Sequence, residues 1–541
     1  MSLHTPFLSS VLIITFCVTA SAQTTTKPPH DWFLLDPETD QLLGVSAERT
    51  YNTVLKGLPS RQVVVAVVDT GVDIGHEDLK SVIWTNEGEI PGNGIDDDKN
   101  GYADDIHGWN FIGGKNGNVT EDTGEITREY DRLSKMFSNV AEGKVSKKQR
   151  PEYENYKKIK DRFEKARAEN QKEYDLYRTM YSNLKMSVDT LKLAMHTDNL
   201  TLAKVDSFKS TNPTLAFAKG FTTHIMKRMG DDGGIDEALK ELEDGVKHYK
   251  VIVEYNYNPE YDSRLIVGDD YNKINERYYG NNDVAGPDPD HGTHVAGIIG
   301  ADRSNDLGIK GIADNVRIMS VRAVPPNGDE RDKDVANAIR YAVDNGAKII
   351  NMSFGKSYSP GKEAVDEAVR YAEKKGVLLI HAAGNDGQDI DTQRDYPSRY
   401  YLDGKESQNW LEVGASSWGK DESFVARFSN YGKKSVDLFA PGVEIFSTVA
   451  KNKYENESGT SMSSPTTAGV AALLMSYFPE LSSTQVRDIL KKSTRKFDGL
   501  KVRKPGGGKA DFADLSNTGG MVNAYEAVML AMSLQVKKIE H

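Results

Sequence analysis

Cysteine is almost missing from this chain: 541 residues include one, Cys17. No disulfide can therefore brace the mature protein, and another stabiliser would be needed outside the cell. Long apolar runs are missing too. The stretch from Phe7 to Ala20 is largely apolar but too short to span a bilayer comfortably. It leads into Ala20-Ser21-Ala22, a small-x-small cleavage pattern ahead of Gln23. The leading residues hold no Lys or Arg, and Phe16 stands where a lipoprotein site wants a small residue. Residues 1–22 thus read as a secretory signal peptide, leaving a mature chain without a membrane span, secreted or periplasmic. Positive charge is in deficit, with 68 Lys and Arg against 80 Asp and Glu and a net charge of −12. That balance excludes nucleic acid as the principal partner and favours solubility. The length exceeds one simple domain, so a sizeable insertion or second domain is expected.

After the signal, residues 23–60 are polar with scattered apolar anchors such as Trp32, Phe33, Leu34 and Leu55, an N-terminal arm laid on the core. The unbroken run Val63 to Val68 reads as a central parallel strand buried on both faces. It ends in Asp69-Thr70-Gly71, and sites of open α/β sheets form beyond the carboxyl ends of their strands. In Asn93 to Asp105, oxygen side chains alternate at Asp96, Asp98 and Asn100, a glycine follows, and Asp104 closes the run. Alternate positions of a tight loop converge on one point, which suits calcium with its six to eight hard oxygen ligands, the Tyr102 carbonyl adding another. The spacing follows the first half of an EF-hand loop, but position twelve is His107 rather than Glu, so the liganding must differ.

From 113 to 285 the texture is helical. Apolar residues fall at steps of three and four between Pro151 and Met195, interrupted at Asn170. Asn212-Pro213 and the glycines at 230–234 punctuate the rest, and a further helix carries Ile235, Leu239, Leu242, Val246 and Tyr249. This is a helical hairpin or bundle inserted into an α/β domain, expected to be separable from the chemistry. The α/β pattern resumes at Asp290-His291-Gly292-Thr293-His294. A histidine pair at i, i+3 shares a helical face, but without a third ligand nearby zinc is disfavoured. His291, at the loop-to-helix start, is the better base, and His294 is expected to pack inside. Strands at 316–321, 347–351 and 377–383 then alternate with helices at 335–345 and 364–375, the pattern of a doubly wound, mainly parallel sheet. Near the C-terminus Gly459-Thr460-Ser461-Met462-Ser463-Ser464-Pro465 presents a serine at the start of an apolar helix, where the helix dipole favours developing negative charge. Alone, such a serine is usually a helix cap; the Asp69 and His291 stretches change that reading.

Four blocks, Asp69-Thr70-Gly71, His291 to Gly297, Ala383-Gly384-Asn385 and Gly459 to Met462, resemble the signature blocks of the subtilisin-like serine peptidases. Phe428 to Gly432 and Ala440 to Val443 resemble further blocks. The order Asp, His, Ser is subtilisin's, distinct from that of chymotrypsin or the α/β-hydrolases. The resemblance spans 60–112 and 286–495. It implies a subtilisin-type peptidase domain made of 61–112 and 286–541, with 113–285 inserted between the catalytic Asp and His. It implies Ser461 as nucleophile, His291 as base, Asp69 as the residue orienting the imidazole, and Asn385 with the Ser461 N–H as oxyanion hole. Ser353, Phe354, Gly355 and Gly384 fall at substrate-binding positions. Asp78 falls at a carboxylate ligand of a second calcium, opposite a loop holding Asn305. The function so implied is a secreted, monomeric serine endopeptidase acting on polypeptides and stabilised by calcium. The competing readings are a silent binding protein of the same fold and a scaffold acting through its insertion. About forty residues separate signal from first strand, too few for the domain-sized pro-segment that many such peptidases carry.

Overall fold

The structure is a computed structural model that describes residues 27–229 and 234–539. The expected signal peptide and the glycines at 230–233 lie outside the described residues. A nine-stranded sheet organises the chain. Its strands are β1 (Val63–Asp69), β2 (Gly108–Asn110), β3 (Val316–Arg322), β4 (Ile349–Met352), β5 (Leu378–Ala382), β6 (Trp410–Ser416), β7 (Leu438–Pro441), β8 (Arg495–Lys496) and β9 (Gly520–Met521). They lie in the order β8-β9-β7-β6-β5-β4-β1-β3-β2, all neighbours parallel except β8 and β9. The longer helices are α1 (Glu125–Phe137), α2 (Arg150–Met195), α3 (Pro213–Met229), α4 (Ile235–Val251), α5 (Asp290–Gly300), α6 (Asp332–Asp344), α7 (Lys362–Lys374), α8 (Thr460–Tyr477), α9 (Ser483–Lys492) and α10 (Ala524–Ile539).

The valine run of β1 is apolar on both faces because two separate cores claim it. Val63, Val65 and Val67 point into a core shared with α5 and α8, while Ala66 and Val68 point into one shared with α6 and α7. Successive residues of a strand face opposite sides, so a strand covered on both sides needs no polar alternation. The polar 23–60 segment is held down by its anchors: Trp32, Phe33, Leu34 and Leu55 join the α5–α8 core. The Trp32 indole N–H also donates to the Glu444 carbonyl at 3.2 Å.

Between β2 and α5 the chain leaves the sheet and forms α1 to α4. Helix α2 has 46 residues and runs about 69 Å at 1.5 Å per residue. Its first half packs Tyr156 and Ile159 on Leu133 and Phe137 of α1. Its second half builds a separate core, with Leu184, Val188 and Leu191 against Ala218, Ile225 and Ala238 of α3 and α4.

Buried ion pairs join this excursion to α6 and the sheet. Arg331 grips Asp122 with two hydrogen bonds of 2.8 and 2.7 Å. Arg264 reaches Asp334 at 2.7 Å, and Lys333 reaches Asp269 at 2.6 Å and Glu276 at 2.7 Å. Lys356 donates to Glu125 at 2.7 Å. No described helix is long and apolar enough to cross a membrane.

Candidate active site

Asp69 is the last residue of β1 and His291 the second of α5. Parallel pairing puts the carboxyl ends of β1, β3 and β4 on one edge, and α5 starts there. His291 Nδ1 lies 2.6 Å from Asp69 Oδ1, which also accepts the Thr70 N–H at 2.8 Å. The other carboxylate oxygen is buried without a partner. Burial would lower the His291 imidazole, but the Asp69 carboxylate, through charge and hydrogen bond, lifts it to about 9. His294 packs inside as expected, its Nε2 3.0 Å from the Ile445 carbonyl and 3.2 Å from that of Glu455. Burial first, and the like charge of His291 second, push it down to about 3, so it stays neutral. The two histidines face different partners and do not converge on a metal.

Ser461 is the second residue of α8. Its hydroxyl donates to the Ser353 carbonyl at 3.2 Å, and the Ser353 hydroxyl donates to the Ser461 carbonyl at 2.9 Å. The resting serine is therefore turned to the strand segment after β4 rather than hydrogen-bonded to His291; catalytic contacts often tighten only when substrate is seated. Thr460 holds the Asn385 side-chain oxygen from its N–H at 2.9 Å and its hydroxyl at 3.0 Å, so the Asn385 amide nitrogen faces the other way. The Ser461 N–H is a first-turn donor with no intrahelical acceptor. A Cβ placed on Gly459 would sit 3.5 Å from the nitrogens of both donors, which puts the two on the same side of Gly459. Asn430 steadies this loop, donating to the Ala383 carbonyl at 2.9 Å and accepting from the Asp386 and Gln388 N–H groups.

Ser353, Phe354, Gly355 and Gly384 all line one cavity of about 570 Å³ together with Asn385, Thr460 and Ser461. Its wall also includes Ile126 of α1, Arg162 and Ala166 of α2, and Tyr257. This corrects the expected independence of the insertion: residues from 113–285 shape the space beside Ser461. Local sequence pattern gave no sign of it, because the contact joins segments over two hundred residues apart. A larger cleft of about 1120 Å³ lies between α1, the 259–275 segment and α7. It is lined by charged residues and does not include Ser461.

In the acidic loop, carboxylate oxygens of Glu89, Asp96 and Asp98 approach within 4.8 Å of one another, the one such group among the described residues. Glu89 was not legible as a member, since it stands seven residues before Asp96, outside the alternating run. Asp104, expected in the set, lies outside this converging group and accepts the Gly92, Asn93 and Gly94 N–H groups at 2.7 to 3.3 Å. Asn100 departs as well, its oxygen accepting the Tyr102 N–H and its nitrogen donating to Asp98 and Asp105. Asp78 stands apart, satisfied by the Asn305 amide at 2.8 Å and the Ile309 N–H at 3.1 Å. Burial raises its carboxyl. These three hard anionic oxygens would supply part of the six to eight that a calcium-type cation takes, while Glu89 also accepts the Asp97, Asp98 and Asp104 N–H groups.

A parallel α/β sheet with Asp69, His291 and Ser461 at its carboxyl edge defines a class of hydrolase-like folds, and comparison narrows it. The Subtilase family model matches residues 60–513, and the chain belongs to the subtilase family. It is 39% identical over 251 residues to the thermophilic serine proteinase of Bacillus sp. (strain AK1), covering 46% of this chain and 55% of that protein. It is 36% identical over 238 residues to thermitase of Thermoactinomyces vulgaris, covering 44% of this chain and 74% of thermitase. Among solved structures, a cold adapted subtilisin-like serine proteinase is 30% identical with a TM-score of 0.35, covering 45% of this chain and 76% of that one. The match thus spans little more than half of the Bacillus proteinase.

Proposed function

We propose that this chain is a serine endopeptidase that hydrolyses peptide bonds of polypeptide substrates through an acyl-enzyme. Ser461 attacks the carbonyl, His291 Nε2 takes the proton and returns it to the leaving amine, and Asp69 keeps the imidazole in its reactive tautomer. The Asn385 amide and the Ser461 N–H hold the oxyanion. Ser353, Phe354, Gly355 and Gly384 cradle the substrate. The observation that carries this reading is the 2.6 Å His291–Asp69 contact at the sheet edge that also holds Ser461. The peptidase domain is 61–112 with 286–541, and 113–285 forms one wall of its cleft.

Glu89, Asp96 and Asp98 hold a calcium ion that stabilises the folded chain; the loop contributes nothing to the chemistry. The mature chain begins at Gln23, works outside the cytoplasm and acts as a monomer. Ser461→Ala should cut turnover by about six orders of magnitude, and phenylmethylsulfonyl fluoride should inactivate the wild type. Undiminished casein cleavage by the alanine variant would refute the assignment. Wild type that cleaves nothing would favour a binding protein built on this fold.

A further inference from the structure

The cavity beside Ser461 carries a charge that the proposed mechanism does not use. Asp395 lines it, in a segment held against Gly355 by paired backbone hydrogen bonds between Lys356 and Tyr396, each 2.9 Å. The Asp395 Oδ1 accepts the Tyr396 N–H at 3.0 Å, and no described side chain donates to its Oδ2. Two glycines leave that oxygen open. A Cβ on Gly355 would come within 2.9 Å of it, and one on Gly384, whose φ is +97°, within 2.7 Å. These glycines are substrate-cradle positions, so the carboxylate sits between the two backbone segments that flank a bound side chain.

The cations near this carboxylate are already engaged. Lys356 Nζ is committed to Glu125 at 2.7 Å, Asp332 at 2.9 Å and the Glu330 carbonyl at 2.8 Å. Arg162, also in the lining, donates to the Tyr358 hydroxyl at 2.7 Å. Behind Asp395, His381 is bound by Glu412 at 2.7 Å and by the Phe354 carbonyl at 2.7 Å, a pair that closes on itself. Asp329 and Asp386 add two more carboxylates to the same lining. Burial, opposed by the His381 charge, lifts the Asp395 carboxyl to about 7. Such a group gains most from a ligand that brings both donors and positive charge.

We infer that the cavity is the specificity pocket for the residue preceding the cleaved bond and selects arginine or lysine there, with Asp395 Oδ2 accepting hydrogen bonds from the guanidinium or ammonium. The inference rests on the peptidase reading above. It makes Asp395 a substrate-contacting residue that shares the cavity with the nucleophile.

The test uses the full chain and fluorogenic peptides that differ only in the residue before the cleaved bond: Arg, Lys, Phe, Leu or Glu. The kcat/KM for Arg or Lys should exceed that for Phe by about tenfold or more, and Asp395→Asn should reduce the Arg-to-Phe ratio about 10- to 100-fold, the worth of a hydrogen bond to a charged group. On the wild type alone, benzamidine should inhibit competitively and its neutral isostere benzamide should not. Preference for Phe or Leu, an unmoved ratio in a folded Asp395→Asn, or equal inhibition by both probes would overturn the pocket assignment while leaving the peptidase reading intact. Cleavage of none of the peptides would overturn the peptidase reading itself, and this inference with it.

Discussion

Lys356 joins the insertion to the sheet, and its removal tests how tightly the two are bound. Its side chain is 1% exposed, facing Glu125 at 1% and Asp332 at 3%. Lys356→Met keeps the length but strips the charge, leaving two buried carboxylates with Arg128 as the remaining cation on Glu125 at 2.6 Å. Breaking a buried pair by deleting one partner costs about 3–5 kcal/mol, and here the Asp332 charge is the one left with neither water nor counterion, since Glu125 keeps Arg128. Urea unfolding followed by tryptophan fluorescence, in a Ser461→Ala background to prevent self-digestion, should show a loss of that size. Adding Asp332→Asn should recover part of it, because the two positions share one network. Burial would raise the Glu125 carboxyl, but Arg128 and Lys356 outweigh it and bring it down to about 2. A depressed carboxyl contributes stability that is present above its unfolded value of 4.5 and lost as pH falls through about 2. The gap between variant and parent should therefore hold near neutral pH and narrow on acidification below 4.5. A loss under about 1 kcal/mol, the worth of an exposed pair, would refute the reasoning.

Asn385→Ala should lower kcat by about 10²–10³ with little change in KM, since its donor acts once charge develops; steady-state kinetics on one peptide decides this. Because a general base works unprotonated and His291 is lifted to about 9, kcat/KM should climb as pH rises toward that value, and a profile levelling near 6.5 would contradict the His291–Asp69 coupling. EGTA should lower the melting temperature and hasten self-digestion before it slows initial turnover. The calcium contribution is about 2.7 kcal/mol at a hundredfold excess over Kd. Glu89→Gln should blunt the response to added calcium, and identical melting curves in calcium and EGTA for metal-free protein would remove the site. Replacing 113–285 by a short linker should abolish small-peptide cleavage, since Ile126, Arg162, Ala166 and Tyr257 line the cavity; full activity in a folded deletion would show that this wall is dispensable.

Local patterns were legible before any fold was known. The β-branched run at 63–68 marks a strand buried on both faces, and the three-and-four spacing from 151 marks α2, which begins one residue earlier at Arg150. The Asp69, His291, Asn385 and Ser461 blocks could be read because each is a short contiguous motif with residue types suited to its chemistry. Tertiary structure alone decided the rest. Glu89 joins Asp96 and Asp98 only because the loop folds back on the segment before it, a closure that leaves no periodic trace. Asp395 is an unremarkable acid in the chain. It becomes part of the pocket because backbone pairing with Lys356 sets it between Gly355 and Gly384. The insertion reads as self-contained because its own seams explain its helices, yet its first helix and the root of its second form a wall of the cleft. Periodicity reports which face of one element is buried; what lies against that face depends on how distant segments converge, and sequence spacing does not encode it.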